Sequence, residues 1–302
     1  MRRLTIHHVT TYRYAKPVSF GEHRLMFRPR DSHDLRLIHT ELSISPAARI
    51  RWYHDVFGNS ITIANFDDMA DELRFESTIE LEHYGVQTTE FPIEPFASFL
   101  PFTYPPEELP DLTRTTERYY FDPERLIDAW AQRFLNPGGR SSTQEVLVAM
   151  TNAIKDEFTY QVRELHGVQT PIETLNLGSG SCRDYAVFLM EAARSLGLAA
   201  RFVTGYVYDP ALDGGANQGL RGAGSTHAWA QIYLPGAGWV EFDPTNGMVG
   251  GANLFRVGVA RTPEQAVPLQ GTFIGDRGDL LGMNVEVKVT SSDNGTALPR
   301  AV

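Results

Sequence analysis

The period of the apolar residues changes along this chain. Over the first 85 residues, apolar and polar positions alternate in short runs, and Gly, Pro, Asn or Asp interrupts them at roughly ten-residue spacing. "LTIHHVTTYRY" puts Leu4, Ile6, His8, Tyr12 and Tyr14 on one face, and Lys16-Pro17 is expected to break the run. "VSFGEHRLMFRPR", "LRLIHTELSIS", "RIRWYHDVFGN", "SITIANF" and "ELRFESTIELEHY" follow. Side chains two apart share one face of a strand, so such runs bury that face by pairing into an antiparallel sandwich or barrel.

The texture then shifts twice. In "FPIEPFASFLPFTYPPEELP", prolines remove backbone donors, and regular structure is not expected. The aromatics there indicate a connection packed onto the protein. Asp122-Pro123 reads as a helix start, as does the capping box from Ser142 to Glu145, after which Leu147, Met150, Ile154 and Phe158 recur at helical spacing. A third helix runs from Cys182 to Ser195, with Ser181 and Asp184 as its cap and Gly197 as its stop. Strands return in "AARFVTGYVY", "THAWAQIYL" and "GWVEFD", and further on in "LFRVGVA" and "NVEVKVT". Helices followed by strands make the second half an α+β domain. The 302 residues therefore divide into an N-terminal β-sandwich over 1–90, a connection over 91–122, a domain of helices packed on an antiparallel sheet over 123–290, and a tail over 291–302.

Cys182 is the only cysteine. A lone cysteine is commonly a small buried hydrophobe. This one opens a helix, where free N–H groups and the helix dipole favour a thiolate, behind an uncrowded Gly/Ser loop. A thiol nucleophile needs a base, and the base an orienting group. His166 and His227 are the histidines beyond the strand-rich part, His166 in a loop and His227 at the start of a strand. On that strand His227, Trp229, Gln231 and Tyr233 share one face. On the next, Trp239, Glu241 and Asp243 do. The loop Pro235-Gly236-Ala237 pairs Leu234 with Gly238, which places Trp229 opposite Asp243 and His227 diagonal to it, within reach of a histidine–carboxylate pair. A one-residue slip would separate them. A surface hairpin carrying an ordinary His and Asp is the competing explanation.

Three segments carry a family resemblance: "FTYQV", "GSGSCRDYAVFLMEAARSLGLAARFVTGYV" and "THAWAQIYLPGAGWVEFDPTN". Together they resemble the transglutaminase-like superfamily of papain-related thiol enzymes. "HHVTTYRYAKPVSFGEHRLMFRPR" with "HDVFGN" resembles the β-domain that precedes this core in bacterial members. The resemblance implies a papain-like core, with Cys182 as nucleophile, His227 as base and Asp243 as orienter. The chemistry implied is acyl transfer from a peptide or protein amide through a thioester, ending on water or on an amine. The Cys182 N–H is the first expected oxyanion donor, Tyr160 a candidate for the second, and Trp229 and Trp239 are candidates to line the cleft or to pack the core. Arg183 departs from the polar residue many relatives carry after the cysteine. The glycine-rich loop from Asp209 to Gly224 is a candidate lid or a plain surface insertion.

Other classes are disfavoured. A formal charge of −10 argues against nucleic acid. No apolar stretch follows Arg2-Arg3, none has membrane length, and no disulfide framework exists, so a cytoplasmic location without membrane association is expected. No cofactor or metal is expected: His7 and His8 point to opposite faces, and the acidic run from Asp67 to Glu72 lacks the turn glycine of a calcium loop. The arginines crowding the first thirty residues read as solvated strand faces. The alternative function is a binding module without catalysis, taking a protein partner or an acidic peptide through the arginines of the N-terminal domain.

Overall fold

The computed structural model describes residues 1–85, 90–162, 167–213 and 219–291. His166 and residues 292–302 lie outside the described residues. The alternating N-terminal runs become β1 (Arg2–Phe20), β2 (His23–Leu25), β3 (Leu35–Ser45), β4 (Ala48–His54), β5 (Ser60–Phe66) and β6 (Ala70–His83). β3, β6 and β1 pair in that order in one sheet, and β4, β5 and β2 in the other. Phe20, Leu25, Leu73 and Phe75 close the space between them, giving the expected sandwich. Lys16-Pro17 does not end β1. Its register with β6 shifts between Arg13 and Val18, because a proline costs one ladder donor and an irregularity absorbs that loss. Arg3 and Arg13 pair across the sheet with Glu80 and Glu72, and Arg24 pairs with Asp55.

The helices of seven residues or more are α1 (Leu109–Thr116), α2 (Leu126–Gln132), α3 (Thr143–Glu157), α4 (Pro171–Leu177) and α5 (Cys182–Ser195). β7 (Ala200–Val207), β8 (His227–Leu234), β9 (Gly238–Asp243) and β10 (Leu254–Ala260) form an antiparallel sheet in the order β9-β8-β7-β10. α5 lies on its apolar face, where Phe188 and Leu189 meet Ala228, Ala230, Ile232 and Phe242. Gly197 stops α5 at φ 83°, and Leu198 N–H returns to the Ala193 carbonyl at 3.1 Å.

Two local expectations are corrected. The proline-rich connection contains α1, because Pro110 falls in its first turn, where the missing N–H costs nothing. It is nonetheless packed down: Tyr104 Oη donates to the Tyr233 carbonyl and accepts from Ala199 N–H. α2 begins at Leu126 and not at Pro123. The Asp122 carboxylate reaches forward to Leu126 N–H and Ile127 N–H, across a turn with Arg125 at φ 53°.

The largest difference lies at the C-terminal end. β11 (Leu280–Ser291) runs antiparallel along β1, from Leu4 opposite Ser291 to Tyr14 opposite Leu280. Leu269–Gln270 pairs with β2 and Phe273–Ile274 with β1. Residues 269–290, expected in the 123–290 domain, thus complete the N-terminal sandwich, with Ser291 of the expected tail. β6 covers one edge of β1, and β11 satisfies the other edge.

The two halves share a core in which Leu4, Ile6, Met26 and Ile61 meet Tyr206, Phe255 and Val257. "HDVFGN" builds part of this junction. Asp55 accepts from Phe57 N–H, Asn59 N–H and Asn59 Nδ2. The Asn59 amide so oriented donates to the Val259 carbonyl at 2.7 Å and accepts from Val259 N–H at 2.9 Å, covering the edge of β10.

Gly205 sits at an irregularity between β7 and β10. A Cβ there would lie 2.1 Å from the Phe255 carbonyl oxygen and 2.8 Å from the Trp229 ring. Gly205→Ala is expected to destabilise the protein by about 2–3 kcal/mol, read as a lower urea midpoint at unchanged slope.

Candidate active site

The approach to α5 is fixed before the thiol is reached. Thr159–Tyr160 pairs in parallel with Ser179–Gly180. At Gly180 a Cβ would come 2.9 Å from Asp184 Cβ, so the loop must pass as glycine. Asp184, fully buried, accepts from Ser181 N–H and Ser181 Oγ, both at 2.8 Å, and from Gln169 N–H at 2.7 Å. One carboxylate thus ties the loop before α4 to the start of α5. Cys182 follows as the first helical residue, 8% exposed, where the N–H groups of the first turn have no acceptor within the helix.

The opposite wall is the β8–β9 hairpin, in the register its three-residue loop dictates: Leu234 faces Gly238, and Ala230 faces Phe242. At its far end His227 Nε2 lies 2.8 Å from Asp243 Oδ2, with both side chains sealed from solvent. The turn after β9 completes the shell of Asp243, which accepts from Thr245 N–H at 2.9 Å and from Asn246 Nδ2 at 2.8 Å. Burial opposes charge on the His227 ring. The Asp243 carboxylate, with the Cys182 side chain adding to it, more than offsets burial and raises the histidine to about 10. Nε2 is taken by Asp243, so Nδ1, buried and without a hydrogen bond of full geometry, is the nitrogen left to serve the thiol.

Trp229 is fully buried and does not line a cleft. Its ring stacks on His227 at 5.9 Å between centroids and 29° between planes, and its Nε1 donates to Glu241. Glu241 also accepts from Gln231 Nε2 and Arg256 Nη1, and Arg256 in turn pairs with Asp34 of the sandwich. Trp239 packs, one of the two roles expected for it. It packs with Tyr233 and under the Arg201 guanidinium, near α1, four residues back along β9 from Asp243. At about 3.3 Å per residue that places it roughly 13 Å along the strand from Asp243.

Tyr160 is at the site. Its partner residue Gly180 lies two positions before Cys182. Burial, then the Cys182 and Asp243 charges, push its phenol up to about 12, so it keeps its proton at neutral pH and remains a donor. Of the glycine-rich loop, residues 214–218 lie outside the described residues. Gly222, at φ 86°, lies so close to His227 that a Cβ would fall 2.4 Å from Nδ1. Asp209 accepts from Ala211 N–H and Leu220 N–H, and Gly224 accepts from Val287 N–H of β11.

Glu241 and Asn246 were not expected at the site. A glutamate on the polar face between Trp239 and Asp243, and an asparagine closing the "DPTN" turn, were the available signals. His7 and His8 do face opposite ways, toward Glu76 and Tyr206. Within the acidic run, Asp67 pairs with Arg49 and Glu72 with Arg13. Among the described residues no group of three His, Cys, Asp or Glu is placed to hold a metal, and no helix is long and apolar enough to cross a membrane.

A thiol at a helix start, set against a buried histidine–aspartate pair on an antiparallel sheet, defines the papain-like class of thiol folds. Residues 128–244 match the transglutaminase-like superfamily, and residues 4–82 match the bacterial transglutaminase-like N-terminal region. The chain belongs to the transglutaminase-like superfamily. An uncharacterised protein of Mycobacterium leprae is 27% identical over 95% of this chain and 99% of its own. One of Mycobacterium tuberculosis is 25% identical over 94% and 92%. A candidate cysteine protease from Cytophaga hutchinsonii has the same fold, with TM-score 0.72 at 17% identity, covering 98% of this chain and 92% of that one.

Proposed function

We propose that the protein is a thiol enzyme that transfers acyl groups from peptide or protein amides through a thioester on Cys182. The observation that carries this reading is the sealed His227–Asp243 pair acting on a thiol at a helix start. In this mechanism the Cys182 sulfur attacks the amide carbonyl carbon, and the electron pair of the C=O bond moves to oxygen. The Cys182 N–H meets that oxyanion, and Tyr160 Oη is the candidate second donor. His227, protonated on both nitrogens, gives its Nδ1 proton to the leaving nitrogen as the C–N bond breaks. Water or an amine then attacks the thioester, His227 takes up the proton released, and the thiolate leaves. Asp243 holds the ring in place and stabilises its charge throughout.

Incubation with a peptide library, with and without an added primary amine, tests this reading by product mass. Free acid products identify a hydrolase, and amine adducts a transamidase. No change in any peptide under either condition would favour a binding module.

A further inference from the structure

The mouth of the site carries a cation that the mechanism above does not use. Arg221 is anchored on the hairpin side: Asn246 Oδ1 accepts from its N–H at 2.9 Å, and Asn246 Nδ2 donates to its carbonyl at 3.1 Å. The same Nδ2 holds Asp243. The next residue is Gly222, against the His227 ring. The guanidinium ends on the other side, over the Tyr160 ring at 5.7 Å, beside the loop that leads into α5. Cys182 comes from one side and His227 from the other, so Arg221 spans the mouth between them.

Its charge is not spent within the protein. The residue is exposed, and among the described residues no carboxylate pairs with its side chain. Arg3 and Arg13 of β1, by contrast, meet Glu80 and Glu72. The Arg221 charge nevertheless reaches the site, since it favours ionisation of both Tyr160 and Tyr185. An unpaired guanidinium lying over Tyr160, beside the thiol's loop, favours a carboxylate, which it can meet with two parallel hydrogen bonds. We propose that Arg221 is a specificity residue that draws peptide substrates bearing a carboxylate close to the amide that Cys182 attacks. The proposal rests on the reading of Cys182 as the attacking group.

Iodoacetate and iodoacetamide test it, because they present the same carbon and leaving group and differ by one carboxylate charge. The chain has a single cysteine, so every cysteine adduct reports on this site. The ratio of the iodoacetate rate to the iodoacetamide rate is expected to fall roughly five-fold in Arg221→Gln at low ionic strength, and the wild-type ratio should fall toward it as salt is added. Arg221→Lys should restore most of the ratio, which a purely structural role for the arginine would not do. A ratio unchanged in Arg221→Gln, with circular dichroism showing an intact fold, would overturn the proposal. The ratio can be read whatever the absolute rates. Uniformly slow labelling therefore contradicts the thioester mechanism, while the ratio still decides Arg221.

Discussion

Cys182→Ala is expected to abolish turnover, by on the order of 10⁵-fold or more, because no other group can carry the acyl intermediate. Stability should change by no more than about 1 kcal/mol, since alanine keeps the Cβ and the helix start is held by other groups. Asp184 closes the cap from Ser181, and Gln169 braces it, without any contribution from sulfur. The matching measurements are turnover of whichever peptide the library screen identifies, and urea unfolding of both proteins. Retained turnover would remove Cys182 from the chemistry. Lost turnover with an unfolded variant would point to packing.

Asp243→Asn is expected to cost about 10³- to 10⁴-fold in turnover, with the geometry of the hairpin preserved. His227 is completely buried, and burial alone would keep its ring neutral; the carboxylate reverses that and holds the histidine at about 10. With the carboxylate gone, burial prevails, and the ring can no longer sustain its charge beside a thiolate. The same shift appears in stability. The wild-type histidine is raised above the ordinary 6.5, so its contribution is fully present below about pH 6.5 and is lost as pH rises through about 10. The difference in unfolding free energy between wild-type and Asp243→Asn should therefore be largest near pH 6 and shrink toward pH 10. A difference that grows with pH would contradict this assignment of charge.

The site was legible where local rules governed it. Pro235-Gly236-Ala237 sets the hairpin register, and the register sets which side chains share a face, so spacing brought His227 and Asp243 within reach of each other and the family resemblance made them a pair. Ser181, Asp184 and Gly197 mark both ends of α5 because helix ends are satisfied by near neighbours. The return of β11 to β1 was hidden because alternation announces a strand and not its partner, and here the partner lies at the other end of the chain. Trp239 and Trp229 look alike in sequence. Four residues of strand separate Trp239 from the site, whereas Trp229 lies behind the histidine. Asn246 is an ordinary turn residue until the fold brings Arg221 onto it. Likewise Glu241 gains its role only through Arg256, which the sandwich holds by Asp34.

In the proposed mechanism His227 and Asp243 make Cys182 a nucleophile at neutral and mildly acidic pH. Alkylation by iodoacetamide at pH 6, compared with free cysteine in the same buffer, tests this most directly. A free thiol is almost entirely protonated there and reacts slowly. Labelling of Cys182 many-fold faster than free cysteine, lost in Asp243→Asn, is the result expected. Labelling no faster than free cysteine would contradict the account.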